Sequence, residues 1–178
     1  MEWIKIQTPI DDETISSLKK GDLCLISGRI ITARDKAHER IEDFLKEGKA
    51  LPFDLKGELI YYVGPTPPKE GMVIGSAGPT TSSRMDPFSE IMLSLGIKAM
   101  MGKGRRDETT KKLLVKYKAI YFATFGGAGA YLSKRIKSSR IIAFDDLGPE
   151  AVYELLVDDF PAVVAIDSKG DDIYEVKF

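Results

Sequence analysis

The sequence predicts a single α/β domain built on a mixed sheet. Strand-like apolar runs alternate with helical patterns through the middle of the chain, while both ends are strand-rich. No internal repeat is present. A chain of 178 residues, 43% hydrophobic and 30% charged, is sized for one domain with a core of its own.

Residues 22–31 read as a strand, with Leu23, Leu25, Ile30 and Ile31 giving apolar weight around Gly28. Thr32 then caps a helix, with Asp35 three residues later in a capping-box arrangement. Ala37, Ile41, Phe44 and Leu45 form its buried stripe, and Gly48 ends it. After a loop at 52–56, residues 59–63 are a strand, broken by Gly64-Pro65-Thr66-Pro67-Pro68. Met72-Val73-Ile74 is a short strand. A helix follows with Asp86 as N-cap, Pro87 at its first position and Glu90 in its first turn. Phe88, Ile91, Met92 and Leu95 recur at helical spacing until Gly96. Residues 98–101 are a strand and 103–106 a polar loop, with Arg105 and Arg106 on a solvated edge. A helix at 109–117 and an apolar strand at 119–125 come next. Gly126-Gly127-Ala128-Gly129 leads into a helix running through Ile136. Residues 140–144 are a strand, 149–156 a helix, and 161–167 pairs with 173–178 as a hairpin.

Composition narrows the function. A net charge of −1 gives no reason to expect nucleic acid or an anionic membrane as partner. The amino terminus lacks a basic segment followed by an apolar core, and the longest uncharged run, 119–133, is too short to span a bilayer. The expected location is the cytoplasm. Cys24 is the one cysteine, so this chain alone forms no disulfide and holds no iron–sulfur cluster. His38 is the one histidine, which excludes a multi-histidine metal site and a Ser/His/Asp nucleophile set resting on any other base.

The most informative stretch is Gly78-Pro79-Thr80-Thr81-Ser82-Ser83-Arg84-Met85-Asp86-Pro87-Phe88. It gathers backbone N–H groups, hydroxyls and a guanidinium at a helix start, the makings of an anion site. Arg34 lies in the first turn of its own helix, where the macrodipole disfavours a cation. A bound anion would offset that cost at both arginines, and a dicarboxylate matches two guanidinium forks. The alternative is simple ion pairing, Arg34 with Asp35 or Glu39 and Arg84 with Asp86. Lys103, between Gly102 and Gly104, is either a ligand-approach point or an ordinary turn lysine. The run 126–129 matches a dinucleotide loop poorly, because Leu132 stands where the third glycine belongs. A nucleotide- or phosphate-binding module is therefore the different-class alternative, and close approach of a neighbouring backbone explains the same glycines. His38, one helical turn after Arg34, is expected to be a structural hydrogen-bonder.

Taken together, Thr32-Ala33-Arg34-Asp35-x-Ala37-His38, Gly78-Pro79-Thr80-Thr81-x-x-Arg84-Met85-Asp86, Lys103-Gly104 and Phe125-Gly126-Gly127 resemble the carboxy-terminal half of class I fumarate hydratases. Leu147-Gly148-x-Glu150-Ala151 and Asp159-Phe160-Pro161-Ala162 extend the resemblance over nearly the whole chain. The beta subunit of L-tartrate dehydratase is a close relative of that half. The resemblance implies a swivelling β/β/α domain over residues 1–178, acting as the beta subunit of a hydro-lyase that dehydrates (S)-malate to fumarate, or tartrate in the related enzyme. It implies an alpha subunit that carries a [4Fe–4S] cluster, with the active site at the interface and no activity for this chain alone. A homodimer or an alpha2beta2 assembly is the expected range. The resemblance assigns Arg34, Arg84 and Lys103 to the substrate carboxylates and makes Thr80 the catalytic residue. An aliphatic alcohol is a very weak base, so Thr80 removes a proton only if Arg84, Lys103 and N–H donors stabilise its alkoxide strongly. Orientation of the substrate is the milder role, and the proton acceptor stays open.

Overall fold

Two long strands carry the architecture of the computed structural model, which describes residues 2–175. β2 (Leu23–Thr32) and β7 (Val152–Ile166) pair antiparallel from Leu23↔Val163 to Ile31↔Glu154. The free edge of β2 takes β1 (Ile4–Gln7) along its first half and β3 (Leu59–Tyr61) at its end, both parallel. The free edge of β7 takes β6 (Ile136–Ala143) and, at its end, β5 (Ile120–Ala123), both antiparallel. β4 (Ala99–Gly102) joins β3 to β5 in parallel register. The pairings β2–β3–β4–β5–β7–β2 thus form a closed circuit within one mixed seven-stranded sheet. The expected α/β class holds.

Side-chain alternation divides the core in two. Leu59, Tyr61, Ala99, Met101, Ile120 and Phe122 point to one face, where Ile26, Ile30, Phe160 and Val164 meet them. Ile60, Tyr62, Met100 and Tyr121 point to the other, beneath α2 (Asp35–Lys46), α3 (Ser89–Ser94) and α4 (Glu108–Tyr117). Ala37 and Ile41 of α2, Met92 of α3 and Leu114 of α4 close that second layer. The short helices α1 (Asp12–Ser17) and α5 (Gly129–Ser133) complete the fold, and neither α1 nor β1 was expected. No helix among the described residues is long and apolar enough to cross a membrane.

Several elements differ from expectation. The helix expected at 149–156 is instead a 3-10 turn, Asp145–Glu150, followed by β7. Helix-favouring Glu154, Leu155 and Leu156 are paired on both sides, by β2 and β6, and that pairing overrides their local preference. Met72 and Val73 lie in a loop, half-exposed, and pair with no strand among the described residues. The helix after the glycine run ends at Ser133, and Ile136 already opens β6. Thr32 caps nothing. It ends β2, and its hydroxyl accepts a hydrogen bond from Tyr153 N at 3.1 Å. The expected terminal hairpin reduces to an Ile166↔Asp172 bridge and a bond from Ile173 N to Ala165 O, while 176–178 lie outside the described residues.

The β2–β7 ladder is interrupted by a bulge in β7, where Asp158 and Asp159 stand against Ser27 alone and Asp159 N–H donates to Ser27 Oγ at 2.9 Å. Gly28 has φ +112°, and a Cβ there would stand 2.5 Å from both Gln7 Nε2 and Thr8 Oγ1. Gly28→Val is expected to cost at least about 2 kcal/mol in urea unfolding, from backbone strain and overpacking together.

Candidate functional site

Four adjacent parallel strands, β2 to β5, finish at one edge of the sheet, and the chain places Arg34, Gly64, Lys103 and Gly126 just beyond those ends. The segment carrying Thr80 and Arg84 lies across the ends of β3 and β4. Thr80 N donates to Tyr62 O at 2.7 Å, Thr81 bridges Lys103, and Ser82 N donates to Lys103 O at 2.9 Å. Ligands of α/β folds with parallel strands, in open sheets and closed barrels alike, take this carboxyl-end position. Arg34, Thr80, Arg84 and Lys103 therefore share one edge rather than unrelated surfaces. An apolar cavity of about 400 Å³, lined by Pro65, Val73, Ile74, Ile141 and Tyr153 among others, includes none of the four.

Two glycines let cations lie close to the backbone. A Cβ at Gly64 would stand 2.5 Å from Arg34 Nη1 and 2.8 Å from its Cδ. One at Gly126 would approach Lys103 Cδ to 3.3 Å. Gly102 serves packing instead, since a Cβ there would collide with Ser82 Oγ and the Tyr62 ring. Gly129 is explained by the neighbouring strand of chain, where its carbonyl accepts from Ala77 N and a Cβ would meet Gly78 N at 2.9 Å.

The ion pairs around the arginines are partly those expected. Arg84 is forked onto Asp35, not Asp86, with Nε 3.0 Å from Oδ1 and Nη2 2.9 Å from Oδ2. The second contact is off the hydrogen-bonding direction, so Oδ2 makes no aligned bond. Arg34 Nε is 3.6 Å from Asp35 Oδ2 and 3.4 Å from Glu150 Oε1, whereas Glu39 is taken by Lys36. Arg34 is itself the N-cap residue of α2, without a side-chain cap bond.

Asp86 is no N-cap either. The helical turn starts earlier, as a 3-10 segment Ser82–Phe88, so Arg84 sits inside it rather than ahead of its start. Asp86 instead receives Arg106 Nε at 2.5 Å, Asp107 N at 3.0 Å and Thr110 Oγ1 at 3.2 Å. Arg106, expected on a solvated edge, is buried. Its guanidinium donates to Ser89 Oγ and lies 5.4 and 5.0 Å from the Tyr62 and Tyr121 ring centres. Tyr121 O–H reaches both Ser82 Oγ and Gly104 O. This network fastens the 80–88 segment to the sheet and to α4. Nothing in the local sequence marks Arg106 for burial, because its partners come from three separate segments.

His38 is buried, as a structural hydrogen-bonder should be. Its Nδ1 donates to Arg34 O at 2.8 Å, which fixes the proton on Nδ1 because a carbonyl only accepts. The ring rests between Tyr62 and Phe88. Burial, helped by the charge of Arg106 and opposed by the Arg34 carbonyl and Asp35, lowers its pKa from 6.5 to about 4. Cys24 is fully buried, and burial foremost pushes its thiol up to about 12, so it does not fit as a ligand to a cluster. Among the described residues no group of three or more His, Cys, Asp or Glu is arranged to hold a metal ion.

A family model described as the fumarase C-terminus matches residues 1–177. The chain is 42% identical over 167 residues to a putative L(+)-tartrate dehydratase subunit beta of Methanocaldococcus jannaschii, covering 90% of this chain and 86% of that protein. It is 41% identical over 152 residues to fumarate hydratase 1, mitochondrial, of Leishmania major, covering 84% of this chain and 28% of that one. It is 36% identical over 152 residues to the anaerobic class I fumarate hydratase of Escherichia coli, again 84% and 28%. The chain thus spans under a third of these two fumarate hydratases.

Removing one partner of the buried pair, as in Asp86→Ala, leaves the Arg106 charge unmatched and is expected to cost about 3–5 kcal/mol in chemical denaturation. For His38 the unfolded chain binds the proton first as pH falls, so its share of stability is complete above about pH 6.5 and lost on the way to about pH 4. That share is about 3 kcal/mol. The stability difference between wild type and His38→Phe should shrink by that amount across this window, measured by urea titration at each pH.

Proposed function

The chain belongs to the fumarase C-terminus family, and from that premise we propose that it is the beta component of a hydro-lyase interconverting (S)-malate and fumarate. The observation that carries this reading is the cationic edge at the ends of β2 to β5. Arg34, Arg84, Lys103 and Thr80 all come from segments that lie at that edge. Arg34 and Arg84 take the two carboxylates of a small diacid, and Lys103 adds a third positive charge. Dehydration removes a proton from the carbon next to one carboxylate and hydroxide from its neighbour. As that proton leaves, negative charge moves onto the adjacent carboxylate. A guanidinium forked on it then binds the transition state more tightly than the substrate. Thr80, its N–H fixed on Tyr62 O, orients the substrate through its hydroxyl, and we assign it the catalytic position without naming the final proton acceptor.

The hydroxide-activating chemistry belongs, in this proposal, to a [4Fe–4S] cluster on an alpha partner, since Cys24 does not fit that role. The edge supports such a division: Arg84 keeps 51% of its side-chain surface exposed, ready to be covered. We take the assembled enzyme to be cytoplasmic. L-tartrate is the second reading, favoured by the beta subunit of similar length from Methanocaldococcus jannaschii. The two substrates differ by one hydroxyl, which a pocket built to hydrogen-bond it discriminates strongly.

Mixing the chain anaerobically with a cluster-loaded alpha partner and following fumarate absorbance tests the proposal. Arg84→Ala should lower kcat/KM by about 100-fold or more, the scale of a lost charge-assisted contact in the transition state. Thr80→Ala should also lose activity, and undiminished turnover in both variants would overturn the assignment. Relative turnover on malate and tartrate separates the two readings.

A further inference from the structure

Asp35 lies between the two arginines assigned to the diacid, and we infer that it is a positioning residue that aims them as a pair. The inference rests on the proposed function and goes beyond it by naming a residue that touches no substrate. Asp35 opens α2, while Arg84 comes from the 3-10 segment; the fork between them ties the two elements together at the edge. Its geometry leaves the useful part of each cation free. Arg84 faces Asp35 with Nε and Nη2, and among the described residues its Nη1 end has no hydrogen-bonded or charged partner. Arg34 faces Asp35 and Glu150 with Nε alone, and its Nη1 lies over Gly64. Each guanidinium thus keeps a terminal pair of N–H groups, the pair a carboxylate takes bidentately.

The arrangement is not one that fold stability alone would select. Arg34 Nε and Asp35 Oδ2 are buried and 3.6 Å apart, and neither has an aligned hydrogen bond. Buried polar atoms left in that state are costly and uncommon. An anionic brace between two cations also cancels part of their repulsion, which would otherwise splay them apart. Glu150 contributes at the outer side, where it meets Arg34 Nε and accepts from Lys36 N at 3.3 Å.

The test uses Asp35→Asn, which keeps the volume and one acceptor but removes the charge. In the chain alone, the Arg84 Nε–H signal in nitrogen-correlated NMR should be sharp at neutral pH in wild type and broadened in Asp35→Asn, with the Arg106 signal unchanged in both. In the assembled enzyme, Asp35→Asn should raise KM for the diacid about tenfold with a smaller change in kcat, the pattern of weakened substrate binding. In an Arg84→Ala background the same substitution should have less than about half that effect on a logarithmic scale, because the residue acts through its partner. Full additivity with Arg84→Ala, or an unchanged KM, would overturn the inference. An Asp35-dependent Arg84 signal in an assembled protein that neither binds nor turns over malate, tartrate or succinate would overturn the proposed function while the brace stands.

Discussion

Antiparallel pairing of β2 with β7 is the constraint on which the rest of the fold depends. It joins residues 23–31 to residues 154–163, more than two thirds of the chain length apart. Such non-local pairing is entropically expensive to close, and it is secured here by strands buried on both edges. Once it forms, β1 and β3 have an edge on one side, β6 and β5 on the other, and β4 closes the circuit. The parallel order β2–β3–β4–β5 follows, and with it a single edge at which four strand ends meet.

What happens at that edge is decided by a second, smaller device. The 80–88 segment contains no long helix to hold it, only a 3-10 turn, and the six-residue α3 follows it. It is held by polar groups under it: Arg106 on Asp86 and Ser89, Tyr121 on Ser82, and Thr80 N on Tyr62 O. Tyr62 thereby serves twice, through its carbonyl to the segment and through its ring to Arg106. Preorganisation of this kind lets exposed cations keep their aim without being buried themselves.

Much of this was legible in the residues. Strong apolar runs located β2, β3, β4 and β5, and helical spacing located α2 and α3. Arg34, Arg84 and Lys103 stand out by their sequence settings and Thr80 by the family resemblance, and all four come from segments at the same edge. The failures share a cause. Asp86, Thr32 and Arg106 were assigned by local rules for caps and exposed loops, yet each side chain is committed to a distant segment. Residues 152–156 carry a helix-like composition, and only pairing with β2 and β6 makes them strand. Asp35 was readable as a neighbour of Arg34, but its fork onto Arg84 spans 49 positions that no local pattern connects.

The placement of Cys24 has a practical side. Its sulfur lies at 0% exposure in the core and is held as the neutral thiol, the form least open to attack by peroxide or disulfides. As the chain's one cysteine, it leaves oxidants no thiolate on this polypeptide to capture. In the assembly proposed above, this component would be the durable one, fit to be kept in air and recombined with a fresh mate.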